Sequence, residues 1–160
     1  MDSIILTSDS IFAPDDAFLL TRAELTSQRP KALHQQDFHE LLWVQNGEVR
    51  LYLHDRKCIL VEGDLLFIGP GVRQGLQGRV DAAMVVSLSI RANAIDSLGI
   101  RHPDLGGRAF WQKDCPLVQA RRDSRQLAEL NRAALRLERA PRGLLYLEAF
   151  LLPLFTSLDH

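Results

Sequence analysis

The sequence predicts a mainly β protein with helices at its C-terminal end: a jelly-roll β-barrel followed by two helices. Residues 16–91 alternate short apolar runs with turn residues, which is the pattern of many short antiparallel strands. From residue 112 to residue 158 the apolar positions recur at helical spacing instead. A length of 160 residues, with 46% hydrophobic and 24% charged side chains, suits one structural unit. We therefore expect a barrel over residues 1–110 and a helical segment packed on it over residues 111–160.

Six segments in the first part have the length and residue types of strands. They are Phe18–Leu25, Glu40–Gln45, Val49–His54, Lys57–Val61, Leu65–Ile68 and Ala82–Ile90. The Asn-Gly pair at 46–47 predicts a hairpin with a type I′ turn, because both central residues of that turn need positive φ. The Glu-Gly-Asp sequence at 62–64 and the Gly-Pro-Gly sequence at 69–71 predict two more tight turns.

Three helices are expected after the last of these strands. A short one covers Ala92–Gly99. The second begins near Pro116 with Asp114 as its N-cap, since proline suits the first turn of a helix. Pro141 and Gly143 interrupt the pattern, and the third helix runs from about 142 to 158, with Pro153 expected to bend or break it.

The third helix is apolar almost all round, which a peripheral helix of a monomer should not be. Either it is enclosed between the barrel and the preceding helix, or it forms a subunit interface. We expect a homodimer through the C-terminal helices, because so small a chain has little core left to cover a terminal helix. Charges placed at Leu147 and Phe150 should then give a monomer. Trp111 is expected to anchor the helices to the barrel.

Composition and charge exclude several classes of protein. With 19 basic and 20 acidic side chains, the chain lacks the basic excess of a domain that binds nucleic-acid phosphates directly. It has no apolar run of the roughly 18 residues that cross a membrane, and residues 1–10 do not resemble a secretory signal. We therefore expect a cytoplasmic location and no membrane partner, with Cys58 and Cys115 as reduced thiols.

Two segments carry the most specific signal: HQQDFHEL at residues 34–41 and GDLLFIGPG at residues 63–71. They resemble the two motifs of the cupin superfamily, and more closely the N-terminal regulatory domain of AraC-family transcription regulators. The resemblance covers roughly residues 20 to 90 well and extends to the C-terminal helices more loosely, as the dimerisation helices of that family.

The resemblance implies four positions at which metal-binding cupins carry their ligands: the two histidines of a His-x-His pair, a glutamate and a distal histidine. Here His34 and Glu40 match the first histidine and the glutamate, whereas Gln36 and Gln74 replace the other two. Neutral amides are poor ligands for transition metals, so we expect no metal, no cofactor and no catalytic residue. His39 should point to the opposite face of its strand.

The same four side chains are the candidate effector site. His34, Gln36, Glu40 and Gln74 would offer donors and acceptors in a cavity whose apolar walls include Leu42 and Val44, a composition typical of small-molecule pockets. The alternative is that they hydrogen-bond one another inside a closed barrel.

The resemblance implies a ligand-sensing and dimerisation domain of an AraC-type transcription regulator, and not an enzyme. The effector, a sugar or a small organic acid by family analogy, would alter DNA binding by a helix-turn-helix domain that this chain does not contain. The alternative is a stand-alone metal-dependent cupin enzyme, an isomerase or a dioxygenase, which metal analysis would distinguish. A storage or scaffold protein with an empty barrel is the third hypothesis.

Overall fold

The structure, a computed structural model, describes residues 2–79, 82–108, 111 and 117–158. Within these ranges the strands are β1 (Asp2–Leu6), β2 (Phe18–Leu25), β3 (Ala32–Gln36), β4 (His39–Asn46), β5 (Glu48–Leu53), β6 (Lys57–Val61), β7 (Asp64–Ile68), β8 (Gln74–Gly78), β9 (Ala83–Ile90) and β10 (Leu117–Arg121). They form two five-stranded sheets, of order β1-β3-β8-β5-β6 and β10-β7-β4-β9-β2. The helices are α1 (Ser8–Ile11), α2 (Ala92–Arg101), α3 (Ser124–Arg139) and α4 (Leu144–Ser157), with a short 3₁₀ helix at Pro103–Leu105. The predicted fold class, a jelly-roll barrel followed by helices, is confirmed.

Two apolar cores divide the molecule into three layers. The inner core lies between the sheets and includes Leu42, Val44 and Val49. The outer core joins the other face of the second sheet to the helices, and it includes Leu41 and Trp43 of β4. Because successive side chains of a strand point to opposite faces, β4 contributes to both cores, and each of its residues from 39 to 44 is buried.

The hairpin predicted at residues 46–47 is absent, because β4 pairs with β7 and β9 in the second sheet whereas β5 pairs with β6 and β8 in the first. Gly47 has a φ of 86°, whereas Asn46 is not among the residues of positive φ. A β-bulge interrupts the pairing of β4 with β9 between Val44 and Asn46. Gly47 thus lies at a corner where the chain passes from the second sheet to the first, and its positive φ allows this sharp change of direction.

Four strands lie outside the segments that the sequence predicts to be strands. β1, β3 and β8 belong to the first sheet, and β10 pairs antiparallel with β7 at the edge of the second. β10 occupies part of the segment where we expected a helix. Asp114 and Pro116, the expected helix start, lie outside the described residues.

Helix α3 begins at Ser124, and its N-cap is Asp123. The carboxylate of Asp123 accepts a hydrogen bond from the backbone N–H of Gln126 at 2.8 Å. The side-chain oxygen of Gln126 accepts one from the backbone N–H of Asp123 at 3.0 Å. This reciprocal arrangement is a capping box, which satisfies two backbone donors at the helix start.

Helix α4 buries one face against the rest of the fold and leaves Leu145 and Tyr146 exposed on the other, so burial explains only part of its apolar character. Leu147 is fully buried and Phe150 is only 7% exposed. The ring of Phe150 stacks on that of Trp43 with centroids 6.3 Å apart. The expectation that Leu147 and Phe150 face a second subunit is therefore wrong, because the outer face of the second sheet covers both. The helix also continues through Pro153 to Ser157 without a break.

Trp111 contacts both of the helices that flank it in the outer layer. Its ring meets Phe155 of α4 edge-on, with centroids 5.2 Å apart. Its indole N–H donates to the backbone carbonyl of Ile95 in α2 at 3.2 Å. Trp111 thus links α2 to α4.

Two further expectations concern the surface of the molecule. Among the described helices, none is both long and apolar enough to cross a membrane. Cys58 is a half-buried free thiol on β6 whose pKa is raised by burial. Cys115 lies outside the described residues.

Candidate functional site

Four polar side chains meet inside the barrel, and we call Gln36, Glu40, Gln74 and Ser87 the Glu40 cluster. The side-chain N–H groups of Gln36 and Gln74 both donate to Oε1 of Glu40, at 3.0 and 3.4 Å. The hydroxyl of Ser87 donates to the second oxygen, Oε2, at 2.5 Å. Gln36, Glu40 and Gln74 are buried. The cluster is therefore a carboxylate held by three neutral donors.

The cluster connects the two sheets at one end of the barrel. Gln36 is the last residue of β3 and Gln74 the first of β8, in the first sheet. Glu40 and Ser87 lie on β4 and β9, which are neighbours in the second sheet. Glu40 points inward because it shares the parity of Leu42 and Val44, which lie in the inner core.

His34 lies apart from the other three predicted site residues. It pairs with Gln74 in the register of β3 and β8, but its side chain is exposed. The fold thus brings together Gln36, Glu40 and Gln74, and it leaves His34 outside their hydrogen-bonded group.

Ser87 is the member of the cluster that sequence reasoning missed. The signal was present in β9, where Ser87 and Ser89 alternate with the outward-facing Val86, Leu88 and Ile90. Small hydroxyl side chains on the inner face of an otherwise apolar strand mark the position where a polar group is met inside the barrel.

The donors and acceptors of the cluster decide what it can bind. Among the described residues, no Lys, Arg or His forms a hydrogen bond or ion pair with Glu40. A carboxylate has about four lone-pair sites, and each glutamine also carries an amide oxygen. The groups left to meet a ligand are therefore mostly acceptors, which suit a ligand rich in hydroxyl donors. In the described ranges no three His, Cys, Asp or Glu side chains are grouped to hold a metal ion.

His39 lies on the opposite face of β4, towards α2, and does not join the cluster. Burial lowers the pKa of His39 from 6.5 to about 4, and the nearby carboxylate of Asp96 offsets only part of this effect. A buried imidazole of such low pKa is neutral at physiological pH. The residue thus belongs to the outer layer and not to the candidate site.

Comparison with known proteins gives one family and several structural neighbours. A family model described as the AraC-like ligand binding domain matches residues 17–140. Comparison with curated proteins finds no match.

Two of the similar solved structures are forms of ToxT from Vibrio cholerae. An apo ToxT variant has a TM-score of 0.68 at 14% sequence identity, and the match covers 89% of this chain and 56% of that chain. Wild-type ToxT bound to an unsaturated fatty acid has a TM-score of 0.60 at 15% sequence identity. This match covers 92% of this chain and 55% of that chain. At such identities the likeness shows the fold, and this chain spans little more than half the length of ToxT.

Proposed function

The chain belongs to the family of AraC-like ligand binding domains, and from that premise we propose that it senses a small polar effector inside its barrel. On this proposal the effector alters DNA binding by a helix-turn-helix domain outside these 160 residues, and the domain itself catalyses no reaction. Gln36, Glu40 and Gln74 are the proposed contacts, with Ser87 added to them and His34 placed near the entrance. The observation that carries the proposal is the buried, acceptor-rich Glu40 cluster.

A neutral polyhydroxylated compound, such as a sugar, fits this cluster better than an organic acid. The carboxylate of Glu40 would repel an anionic ligand, and no cation in the cluster offsets that repulsion. Hydroxyl groups can instead donate to Glu40 and to the amide oxygens of the two glutamines. Fatty-acid binding by ToxT supports a small-molecule effector in general, but the chemistry of the Glu40 cluster favours a different ligand class.

The effector prediction is tested by calorimetry with a panel of pentoses and hexoses and the matching sugar acids. We expect at least one neutral sugar to bind, and Gln36→Leu to weaken its binding at least about tenfold by removing one buried amide. The matched control is Gln35→Leu, on the neighbouring, opposite-facing residue of β3, which should leave binding unchanged. A panel in which only the acids bind, or in which both variants bind like the parent, would contradict the proposal.

We also propose that the domain forms a homodimer through α3 and α4. Leu147 and Phe150 are unsuited to this role because they are buried, so the proposal rests on three other apolar side chains. Leu145 is 67% exposed, Leu135 is 49% exposed and Tyr146 is 40% exposed. A contiguous exposed apolar patch is typical of an interface between subunits, and we propose that these three side chains contribute to one.

Light scattering tests the dimer proposal. The parent should have the mass of a dimer, and Leu145→Asp should shift it to a monomer at micromolar concentration without loss of helical circular dichroism. Ile100→Asp is the control, because Ile100 is 80% exposed on α2 and its replacement should leave the dimer intact. A monomeric parent would refute the proposal.

A further inference from the structure

A groove between α3 and α4, on the side of the molecule away from the first sheet, has the features of a second ligand site. Its volume is about 320 Å³, within the lower range of small-molecule pockets. Its walls are apolar where Leu130, Phe150 and Leu154 meet. Arg122 also lines it. The groove is separate from the barrel and contains no residue of the Glu40 cluster.

Arg122 is a buried cation without an acidic partner. Its side chain lines the groove, yet the residue is only 7% exposed. Its guanidinium donates to the hydroxyl of Ser157 at 3.0 Å, whereas its Nε is buried without a hydrogen-bond partner. No acidic side chain in the described part of the chain forms an ion pair with it. A buried charge in this condition is unfavourable unless an anion compensates it.

The backbone holds Arg122 firmly in this position. Its N–H donates to the carbonyl of Gly63 at 2.8 Å. A Cβ on Gly63 would come within 2.5 Å of the carbonyl oxygen of Arg122, and Gly63 has a φ of 92°. Only glycine tolerates both conditions, so the approach of the two chain segments fixes the backbone position of Arg122.

The surroundings of the groove are positively charged. Arg132 and Arg136 of α3 also line it, and the one acidic residue on its wall is Glu129. The carboxylate of Glu129 lies 3.4 Å from the guanidinium of Arg125 on the exposed face of α3 and is thus already paired. The groove therefore presents three arginines, one carboxylate that is paired at the surface, and an apolar wall.

A structural role for Arg122 accounts for part of this geometry. A cation near the C-terminal end of α4, where Ser157 lies, is stabilised by the helix dipole. This contact uses one guanidinium nitrogen and leaves Nε without a partner. It also does not explain an adjoining apolar groove with two further arginines.

We propose that the α3–α4 groove binds a small amphipathic carboxylate. The carboxylate lies against the guanidinium of Arg122, with Arg132 as the second cation, and the apolar body of the ligand packs on Phe150 and Leu154. Arginine suits this role because its planar guanidinium matches the geometry of a carboxylate. The site goes beyond the proposed sensing of a neutral effector in the barrel and does not depend on it.

The test uses 4-phenylbutyrate as the anionic probe and 4-phenylbutan-1-ol as its neutral match, each titrated into the full 160-residue chain. We expect the acid to bind at least about tenfold more tightly than the alcohol. Methyl resonances of Leu130 and Leu154 should shift on binding, while those of Val44 and Val49 in the barrel should not. Shifts confined to the barrel methyl groups, equal affinities for acid and alcohol, or no binding would each overturn the proposal.

Variants of Arg122 separate binding from a purely structural role. Arg122→Met should weaken 4-phenylbutyrate at least about tenfold, whereas Arg139→Met, an exposed position on α3 outside the groove, should not change it. Arg122→Met should also unfold at an equal or higher urea concentration than the parent, because it removes an uncompensated buried charge. Clear destabilisation of this variant with unchanged binding would mean that Arg122 only caps α4.

Arg132 and the oligomeric state of the parent provide two further tests of the groove. If Arg122→Met does not fold, the exposed Arg132→Gln decides the matter: weaker binding of 4-phenylbutyrate supports the site, and unchanged binding overturns it. If the parent is a dimer that Arg122→Met dissociates, a second copy of the chain covers the groove, and the small-molecule site is refuted.

Discussion

Lowering the pH from 7 to 4 should destabilise the protein by about 3 kcal/mol through His39 alone. Burial lowers the pKa of His39 from 6.5 to about 4 in the folded state. Between these two values the unfolded chain binds a proton that the folded protein does not, so stability falls as the pH falls through this window. Well above pH 6.5 the histidine is neutral in both states and contributes no pH dependence.

Urea unfolding of the parent, His39→Leu and His54→Leu at several pH values between 7 and 4 measures this contribution. His54 is exposed and serves as the control position. The parent and His54→Leu should therefore lose stability alike on acidification. His39→Leu should lose about 3 kcal/mol less over the same range, whatever its stability at pH 7, because it has no buried imidazole to protonate. Parallel curves for all three proteins would contradict the assignment.

The centre of the barrel could be predicted from the sequence because its strands carry their own signals. β2 and β6 coincide with their predicted bounds, and β4, β5, β7 and β9 deviate by one residue at one or both ends. β1, β3, β8 and β10 could not be predicted in the same way. β3 and β8, with the sequences ALHQQ and QGLQG, lack β-branched and aromatic residues, so their extended backbone depends on the strands that pair with them.

The position of α4 could not be settled from its own sequence. An all-round apolar helix is equally compatible with a buried location and with a subunit interface. The resolving signal lies elsewhere, in the unbroken apolar run at residues 41–44, which is typical of a strand buried on both faces. Such a strand needs a helical layer on its outer side, and α4 belongs to that layer.

The candidate site was predictable to the extent that strand parity determines it. The alternation of side chains along β4 predicts that Glu40 points inward with Leu42, which lies in the inner core. The family resemblance placed Gln36 and Gln74 beside it. The side chain of His34 is exposed, although His34 lies on the same face of β3 as Gln36. Neither argument predicts this exposure, because it depends on which parts of the strand the neighbouring segments cover. Ser87 lies far from both motifs and could be found only through the alternation in β9.

Glu40→Leu should destabilise the protein by about 3 kcal/mol or more, which would make Glu40 one of the costliest residues of the barrel to replace. Each buried donor left without an acceptor costs about 1–3 kcal/mol, and three donors now converge on Glu40, from Gln36, Gln74 and Ser87. A leucine offers them no acceptor. The transfer of an apolar side chain into the barrel offsets only part of that loss.

Glu40→Gln is the matched control, and its expected stability follows from the same geometry. Both glutamines donate to one oxygen, Oε1, while Ser87 alone contacts the other. An amide oxygen can replace Oε1, and the amide nitrogen can take the position of Oε2 because the hydroxyl of Ser87 can rotate and accept. Urea unfolding at pH 7 should therefore place Glu40→Gln within about 1 kcal/mol of the parent, far above Glu40→Leu. If Glu40→Leu were as stable as Glu40→Gln, the three donors would be satisfied by water, and the barrel end would be a hydrated cavity in place of a closed hydrogen-bonded group.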